Sequence, residues 1–298
     1  PNATAYNETC ANIGNAMWNW RMLRINGEAK YADLMELVLY NSMLSAISID
    51  GKNFFYTNPL RWHGEKHHLL SHDTQLRWNI HKCYCCPPQV ARSIARLHEW
   101  AYCLSEEGVW VNIYGSNVLE TELTDGSPLK LTQETDYPWD GEIKLTIEET
   151  ADNKFAIMLR IPGWADEAEV KVNGETLDLE TKPETYATIY RKWSSGDEIE
   201  LSLNLEPRLV TAHPKVEETR NQIAVMLGPV VYCLESVDLP DDVDIAQVCI
   251  PRDVRLKQSY ESEILGGITL LEGEACKTSD DEWNHQLYRD FGSDSIEL

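Results

Sequence analysis

The chain opens on a helical pattern. From Glu8 to Arg24 the apolar residues Ile13, Ala16, Met17, Trp20 and Leu23 recur at steps of 3, 1, 3 and 3, which places them on one helical face. Asn26-Gly27 then breaks the period, because both residues tolerate the left-handed backbone that ends helices. Tyr31, Leu34, Met35 and Val38 resume it and apolar content runs on to Ile49, so this stretch predicts a helical hairpin. Residues 53–60 (NFFYTNPL) read as a short aromatic strand or loop, and residues 61–82, without a clear period, as loop. Pro87 and Pro88 suit a helix start, and Val90, Ile94, Leu97, Ala101 and Leu104 at steps of 4, 3, 4 and 3 predict a third helix that Gly108 ends.

Beyond Gly108 the period falls to 2. Val109, Val111 and Ile113 alternate with Trp110, Asn112 and Tyr114, and the same alternation marks Ile143 to Ile147, Phe155 to Ile161 and Ile199 to Leu205. Asp125-Gly126, Asp140-Gly141, Asn173-Gly174 and Ser195-Gly196 supply the turns. Many short strands at this spacing predict an antiparallel sandwich with one face of each sheet solvated. A second β-rich block begins near Gln222, followed by the acidic loop Asp238 to Asp244.

Charge divides the chain in the same place. The whole carries 26 Lys+Arg against 49 Asp+Glu, a net charge of −23 that excludes a nucleic-acid partner. Residues 1–104 hold 10 basic and 8 acidic side chains (10 − 8 = +2), and residues 105–298 hold 16 and 41 (16 − 41 = −25). Six of eight histidines and five of eight cysteines fall in the first segment, so the chemistry is expected there and the acid on solvated β faces. No apolar run approaches the roughly 20 residues of a membrane span, so no membrane partner is expected. The chain begins with Pro1 and turns helical almost at once, so it reads as the later part of a longer protein.

Cys83-Tyr84-Cys85-Cys86-Pro87-Pro88 concentrates three thiols in four residues. Disulfides to distant cysteines, burial as small apolar side chains, and a purely structural zinc site each remain open as explanations. A fourth explanation makes the cluster ligand and nucleophile together. Zinc holds thiols deprotonated at neutral pH. Glu8-Thr9-Cys10, at the predicted start of the first helix where N–H groups favour anions, offers a carboxylate and a further thiol. Glu8, Cys10, Cys85 and Cys86 then make a four-ligand set. His68 and His72 have a helical metal-binding spacing without helical apolar periodicity, and one of His63, His67 or His68 suits a substrate pocket.

ETCANIGNAMWNWRML at 8–23, NFFYTNPL at 53–60, CYCCPPQVARSIARLHEWAY at 83–102 and GPVVYCLE at 228–235 resemble glycoside hydrolase family 127, the bacterial β-L-arabinofuranosidases. The resemblance implies an α + β multidomain protein: the last part of a catalytic (α/α)6 barrel in residues 1–104, then antiparallel, jelly-roll-like β-sandwich domains at 105–215 and 216–298. It implies retaining hydrolysis in which the thiolate of Cys85 takes the nucleophile's place, Glu8, Cys10, Cys85 and Cys86 hold Zn²⁺, and Tyr56 hydrogen-bonds near the nucleophile. Cys83 receives no role. The family's general acid/base glutamate would precede Glu8 beyond Pro1, so this chain by itself is expected not to turn over at the family's rate.

The implied substrate is an arabinofuranosyl oligosaccharide or glycoconjugate, and the orphaned helical faces would take the rest of the barrel or a second copy as partner. Reduced thiols in a zinc site suit the cytoplasm, with the periplasm as the alternative. Two other functions compete. One is a glycosidase of similar architecture using two carboxylates. The other is a noncatalytic carbohydrate-binding sandwich with a structural zinc, in which Trp110, Trp139, Trp164 and Trp193 stack on sugar rings.

Overall fold

The computed structural model describes residues 5–58, 60–61, 76–79, 84–151, 153–278 and 287–288, and every structural statement below concerns these. The chain divides into two compact units, one of Pro1–Glu206 with Leu227–Val230 and one of Pro207–Met226 with Val231–Leu298.

The hairpin forms where the period predicts it. Helix α1 (Thr9–Asn26) ends on Gly27, whose φ of 68° is left-handed and whose N–H donates to the Leu23 carbonyl at 2.8 Å. Helix α2 (Ala29–Val38) follows and runs on through a π-helical turn over Leu39–Met43. Ile13, Ala16 and Leu23 of α1 are buried against Ala32, Met35 and Val38 of α2. Helix α3 (Cys86–Ala95) starts on the double proline and adds Val90 to this core.

The third helix is shorter than its apolar spacing predicts. After Ala95 the chain makes a single turn, α4 (His98–Ala101), and then strand β1 (Tyr102–Ser105). Tyr102 to Ser105 pair with Val111 to Gly108 of β2 (Gly108–Val111), and these ladder bonds take the place of another helical turn. Gly108 makes that turn possible. Its φ is +146°, and a Cβ there would lie 2.0 Å from the Ala156 carbonyl oxygen. Gly108→Ala is therefore expected to destabilise the protein by more than about 1 kcal/mol, read as a lower urea midpoint at unchanged m-value.

Strands β3 (Asn117–Glu122), β4 (Pro128–Thr135), β5 (Glu142–Thr150), β6 (Lys154–Ile161), β7 (Ala168–Val172), β8 (Glu175–Thr176), β9 (Thr185–Lys192) and β10 (Glu198–Leu203) complete two sheets. Their orders are β1-β2-β6-β9 and β3-β4-β5-β10-β7-β8. The alternating residues Ile143, Leu145, Ile147, Ile199, Leu201 and Leu203 bury one side of the six-stranded sheet against Phe155, Ile157, Leu159 and Ile161 of β6. The all-antiparallel expectation fails at one place, where β2 and β6 run parallel. Between them the chain builds β3, β4 and β5 of the opposite sheet, so the connection is a crossover and not a hairpin.

β6 also departs from one-sided burial, since Ala156, Met158 and Arg160 on its other face are buried too. That face meets the helices. The Arg160 guanidinium, fully buried, is paired with Asp33 and Glu36 of α2, reaching Glu36 Oε1 at 2.5 Å, and its Nε donates to the Asn112 carbonyl at 2.5 Å. Asp33 Oδ2 in turn accepts from the Gly163 N–H at 2.8 Å. Burial pushes the Glu36 carboxyl above the usual carboxylate range, against the opposing pull of Arg160. Two carboxylates and one guanidinium thus clamp the helical hairpin to the four-stranded sheet.

The sugar-stacking tryptophans are mostly structural. Trp193 is buried and donates to the Phe155 carbonyl at 3.1 Å; Trp110 packs edge-on against Tyr186; Trp164 stacks on Tyr137. Only Trp139 of the four is exposed.

The second unit has little buried apolar surface. It contains β11 (Pro207–Val210), β14 (Val248–Cys249), β15 (Lys257–Glu261), β16 (Ile268–Glu272) and β17 (Cys276–Lys277), with β14 pairing β17 and β15 pairing β16. The ladder of β12 (Ala224–Leu227) and β13 (Val230–Tyr232) turns at Gly228.

Candidate metal centre

Three segments distant in sequence build the site. Glu8 stands at the entrance of α1 with extended backbone, bridged to Thr57. The 55–58 segment is sewn to this entrance: Thr9 N–H donates to the Tyr56 carbonyl at 2.9 Å, Thr9 Oγ1 to the Phe55 carbonyl at 2.8 Å, and Asn58 N–H to the Asn7 carbonyl at 2.9 Å. Those bonds bring Tyr56 beside Glu8. Phe54 is held from the other side by paired backbone bonds with Trp78, and both rings pack on the buried Cys86. Cys85 is the residue before α3 and Cys86 its first, followed by prolines whose missing N–H groups need no helical partner. Both Glu8 and the Cys85-Cys86 pair therefore lie at helix N-termini, where the backbone dipole favours anions.

The four predicted ligands converge. One donor atom each from Glu8, Cys10, Cys85 and Cys86 lies within 4.8 Å of all the others. Tetrahedral zinc with Zn–S near 2.3 Å and Zn–O near 2.0 Å requires S···S of about 3.8 Å and S···O of about 3.5 Å. Cys85 Sγ is 3.7 Å from Cys86 Sγ and 3.6 Å from Glu8 Oε1. The donor set and its spacings fit zinc. They do not fit a disulfide, whose sulfurs would sit about 2.05 Å apart; none of the seven described cysteines is joined in a disulfide. Cys85 is exposed while Cys86 is fully buried, so of the adjacent thiols only Cys85 is open to an incoming molecule.

Tyr56 stands at this cluster with its ring 6.4 Å from that of Trp78. A residue that sequence reasoning missed joins it there: the Tyr6 hydroxyl donates to Glu8 Oε2 at 2.7 Å and lies 2.5 Å from the Tyr56 hydroxyl. The hydrogen bond to Tyr6, then burial and the charge of Glu8, hold the Tyr56 phenol well above its usual range. Cys83 and the histidines His63, His67, His68 and His72 lie outside the described residues, so the metal and pocket roles considered for these histidines fall outside as well.

Three consecutive family profiles of one glycoside hydrolase family match this succession of helices, carboxylate–thiol cluster and β-sandwich. They are the β-L-arabinofuranosidase GH127 catalytic domain over residues 1–99, the GH127 middle domain over 108–205 and the glycoside hydrolase family 127 C-terminal domain over 207–278. The chain belongs to glycoside hydrolase family 127. It is 32% identical over 308 aligned residues to a non-reducing end β-L-arabinofuranosidase of Bifidobacterium longum subsp. longum, covering 97% of this chain and 45% of the relative.

Among solved structures it resembles a glycoside hydrolase with a TM-score of 0.92 at 43% identity, covering 100% of this chain and 49% of the other. It also resembles a GH127 β-L-arabinofuranosidase from Geobacillus stearothermophilus, with a TM-score of 0.91 at 38% identity, covering 100% of this chain and 47% of the other. The chain thus spans just under half the length of these relatives. No helix among the described residues is long and apolar enough to cross a membrane.

Proposed function

We propose that this chain is part of a retaining glycoside hydrolase that releases L-arabinofuranose from β-L-arabinofuranosides, with Cys85 as nucleophile and Zn²⁺ held by Glu8, Cys10, Cys85 and Cys86. The observation that carries the reading is the convergence of these four donors within 4.8 Å, with one of the adjacent thiols exposed. That the relatives are β-L-arabinofuranosidases supports an arabinofuranosyl substrate, here an oligosaccharide or glycoconjugate.

When bound, zinc would keep the thiols deprotonated at neutral pH and offset part of their charge. Cys85 of this chain and a general acid outside it do the rest. The Cys85 sulfur attacks the anomeric carbon; a C–S bond forms as the glycosidic C–O bond breaks, and the leaving oxygen takes a proton from the general acid that the family resemblance puts upstream of Glu8. Water then displaces the thiolate from the opposite face, giving up a proton to the same group, so configuration is retained. Tyr56, beside Glu8, meets the sugar at the nucleophile's edge.

The helices of residues 1–104 belong, in this reading, to an (α/α)6 barrel, and 105–215 and 216–298 to its β-domains. The reduced thiols favour a cytoplasmic protein. Metal content and thiol titration test the proposal. One zinc per chain is expected, lost on Glu8→Gln or Cys86→Ser; an oxidised Cys85-Cys86 pair, or zinc indifferent to both substitutions, would remove it.

A further inference from the structure

We propose that Tyr6 is a positioning residue that fixes how Glu8 presents itself to the metal, a role that rests on the zinc reading above. Glu8 has two carboxylate oxygens with different neighbours: Oε1 lies 3.6 Å from Cys85 Sγ, and Oε2 accepts the Tyr6 hydroxyl at 2.7 Å. A carboxylate can only accept hydrogen bonds, so in its contact with Oε2 the Tyr6 hydroxyl is the donor. The Tyr56 hydroxyl, 2.5 Å from that of Tyr6, joins a second phenol to the same carboxylate.

One consequence follows for the metal ligand. With the Tyr6 hydroxyl on Oε2 and Oε1 facing Cys85, Glu8 would present Oε1 to a metal as a single-atom ligand. Tyr6 thus links the metal ligand to the residue that reads the sugar. The two rings are held edge to face, with centroids 6.2 Å apart and planes at 71°.

Tyr6→Phe removes only the hydroxyl, and because Tyr6 is 57% exposed the packing that folds the chain is left in place. The experiment measures zinc affinity by competition with a chelator, and the visible spectrum after cobalt substitution, for the wild type, Tyr6→Phe, Tyr56→Phe and Glu8→Gln. Tyr6→Phe is expected to bind zinc about 10–100-fold more weakly, the range seen for lost outer-shell partners of metal ligands. Its cobalt bands should weaken as Glu8 turns bidentate and a fifth ligand atom enters. Tyr56→Phe should shift both readouts in the same direction by less, and Glu8→Gln should weaken binding most. Wild-type affinity and spectrum in Tyr6→Phe, with Glu8→Gln impaired, would overturn the role of Tyr6 and leave the zinc site standing. Zinc binding indifferent to Glu8→Gln would overturn the zinc site and the role of Tyr6 with it.

Discussion

Cys85→Ser in the full-length protein is expected to lower kcat/KM on an aryl β-L-arabinofuranoside by at least about four orders of magnitude, the scale on which enzymes lose rate when a covalent nucleophile is removed. The reason is acidity. A thiol ionises near pH 8.5 and lower beside a metal, whereas a serine hydroxyl stays protonated, so the variant keeps the shape of the site and loses the anion that attacks. In the proposed mechanism Cys85 is the sensitive position and not Cys86, in keeping with the exposure of Cys85 and the burial of Cys86 with Phe54 and Trp78. Cys86→Ser should therefore act through metal loss, partly restored by excess zinc, and Cys85→Ser should not be restored. Steady-state kinetics with and without added zinc separate the two. If Cys85→Ser kept most of its activity, a two-carboxylate glycosidase would be the better description.

Arg160→Met is expected to destabilise the first unit by about 3–5 kcal/mol, the cost of removing one partner from a buried ion pair. Arg160 is fully buried and Glu36 nearly so, and without the guanidinium the Glu36 and Asp33 carboxyls of α2 are left without the cation that pairs them. The loss should depend on pH. Glu36 is already raised by burial in the intact protein, and removing its cation raises it further. A carboxyl whose folded pKa exceeds its unfolded value of about 4.3 binds more protons in the folded state, so stability falls as pH rises through that window. Urea denaturation should accordingly show a smaller deficit for Arg160→Met near pH 5 than near pH 8. Adding Asp33→Asn and Glu36→Gln should recover much of it, because the buried charge is then gone from both sides. A deficit equal at both pH values would mean that packing and not charge accounts for the loss.

Local signals in the sequence were read correctly where one neighbour decides the outcome. Asn26-Gly27 breaks the hairpin because a left-handed residue is needed there and Gly27 supplies it, with φ at 68°. Ile143, Leu145 and Ile147 alternate because one face of β5 is dry and the other wet. The same reasoning overran at Tyr102–Ser105, where apolar spacing compatible with a helix gives way to pairing with β2. It also missed the second buried face of β6, since nothing near Arg160 in sequence announces that α2 will lie over it.

The candidate site divides in the same way. Residue types alone nominated Glu8, Cys10, Cys85 and Cys86, because thiols and carboxylates are what zinc holds and such a concentration of them is uncommon. Whether they meet was a tertiary question, decided by the bonds from Thr9 to Phe55 and Tyr56 and by the seating of α3 beside α1. Tyr6 became visible only there, since its partner Tyr56 is 50 positions away. By itself the sequence determined the elements, the turns and the chemical inventory, all of which depend on contacts a few residues long. The tertiary structure alone decided which thiol is exposed, which carboxylate oxygen faces it, and that a buried arginine clamps helices to sheet, because those outcomes depend on segments meeting that no local pattern brings together.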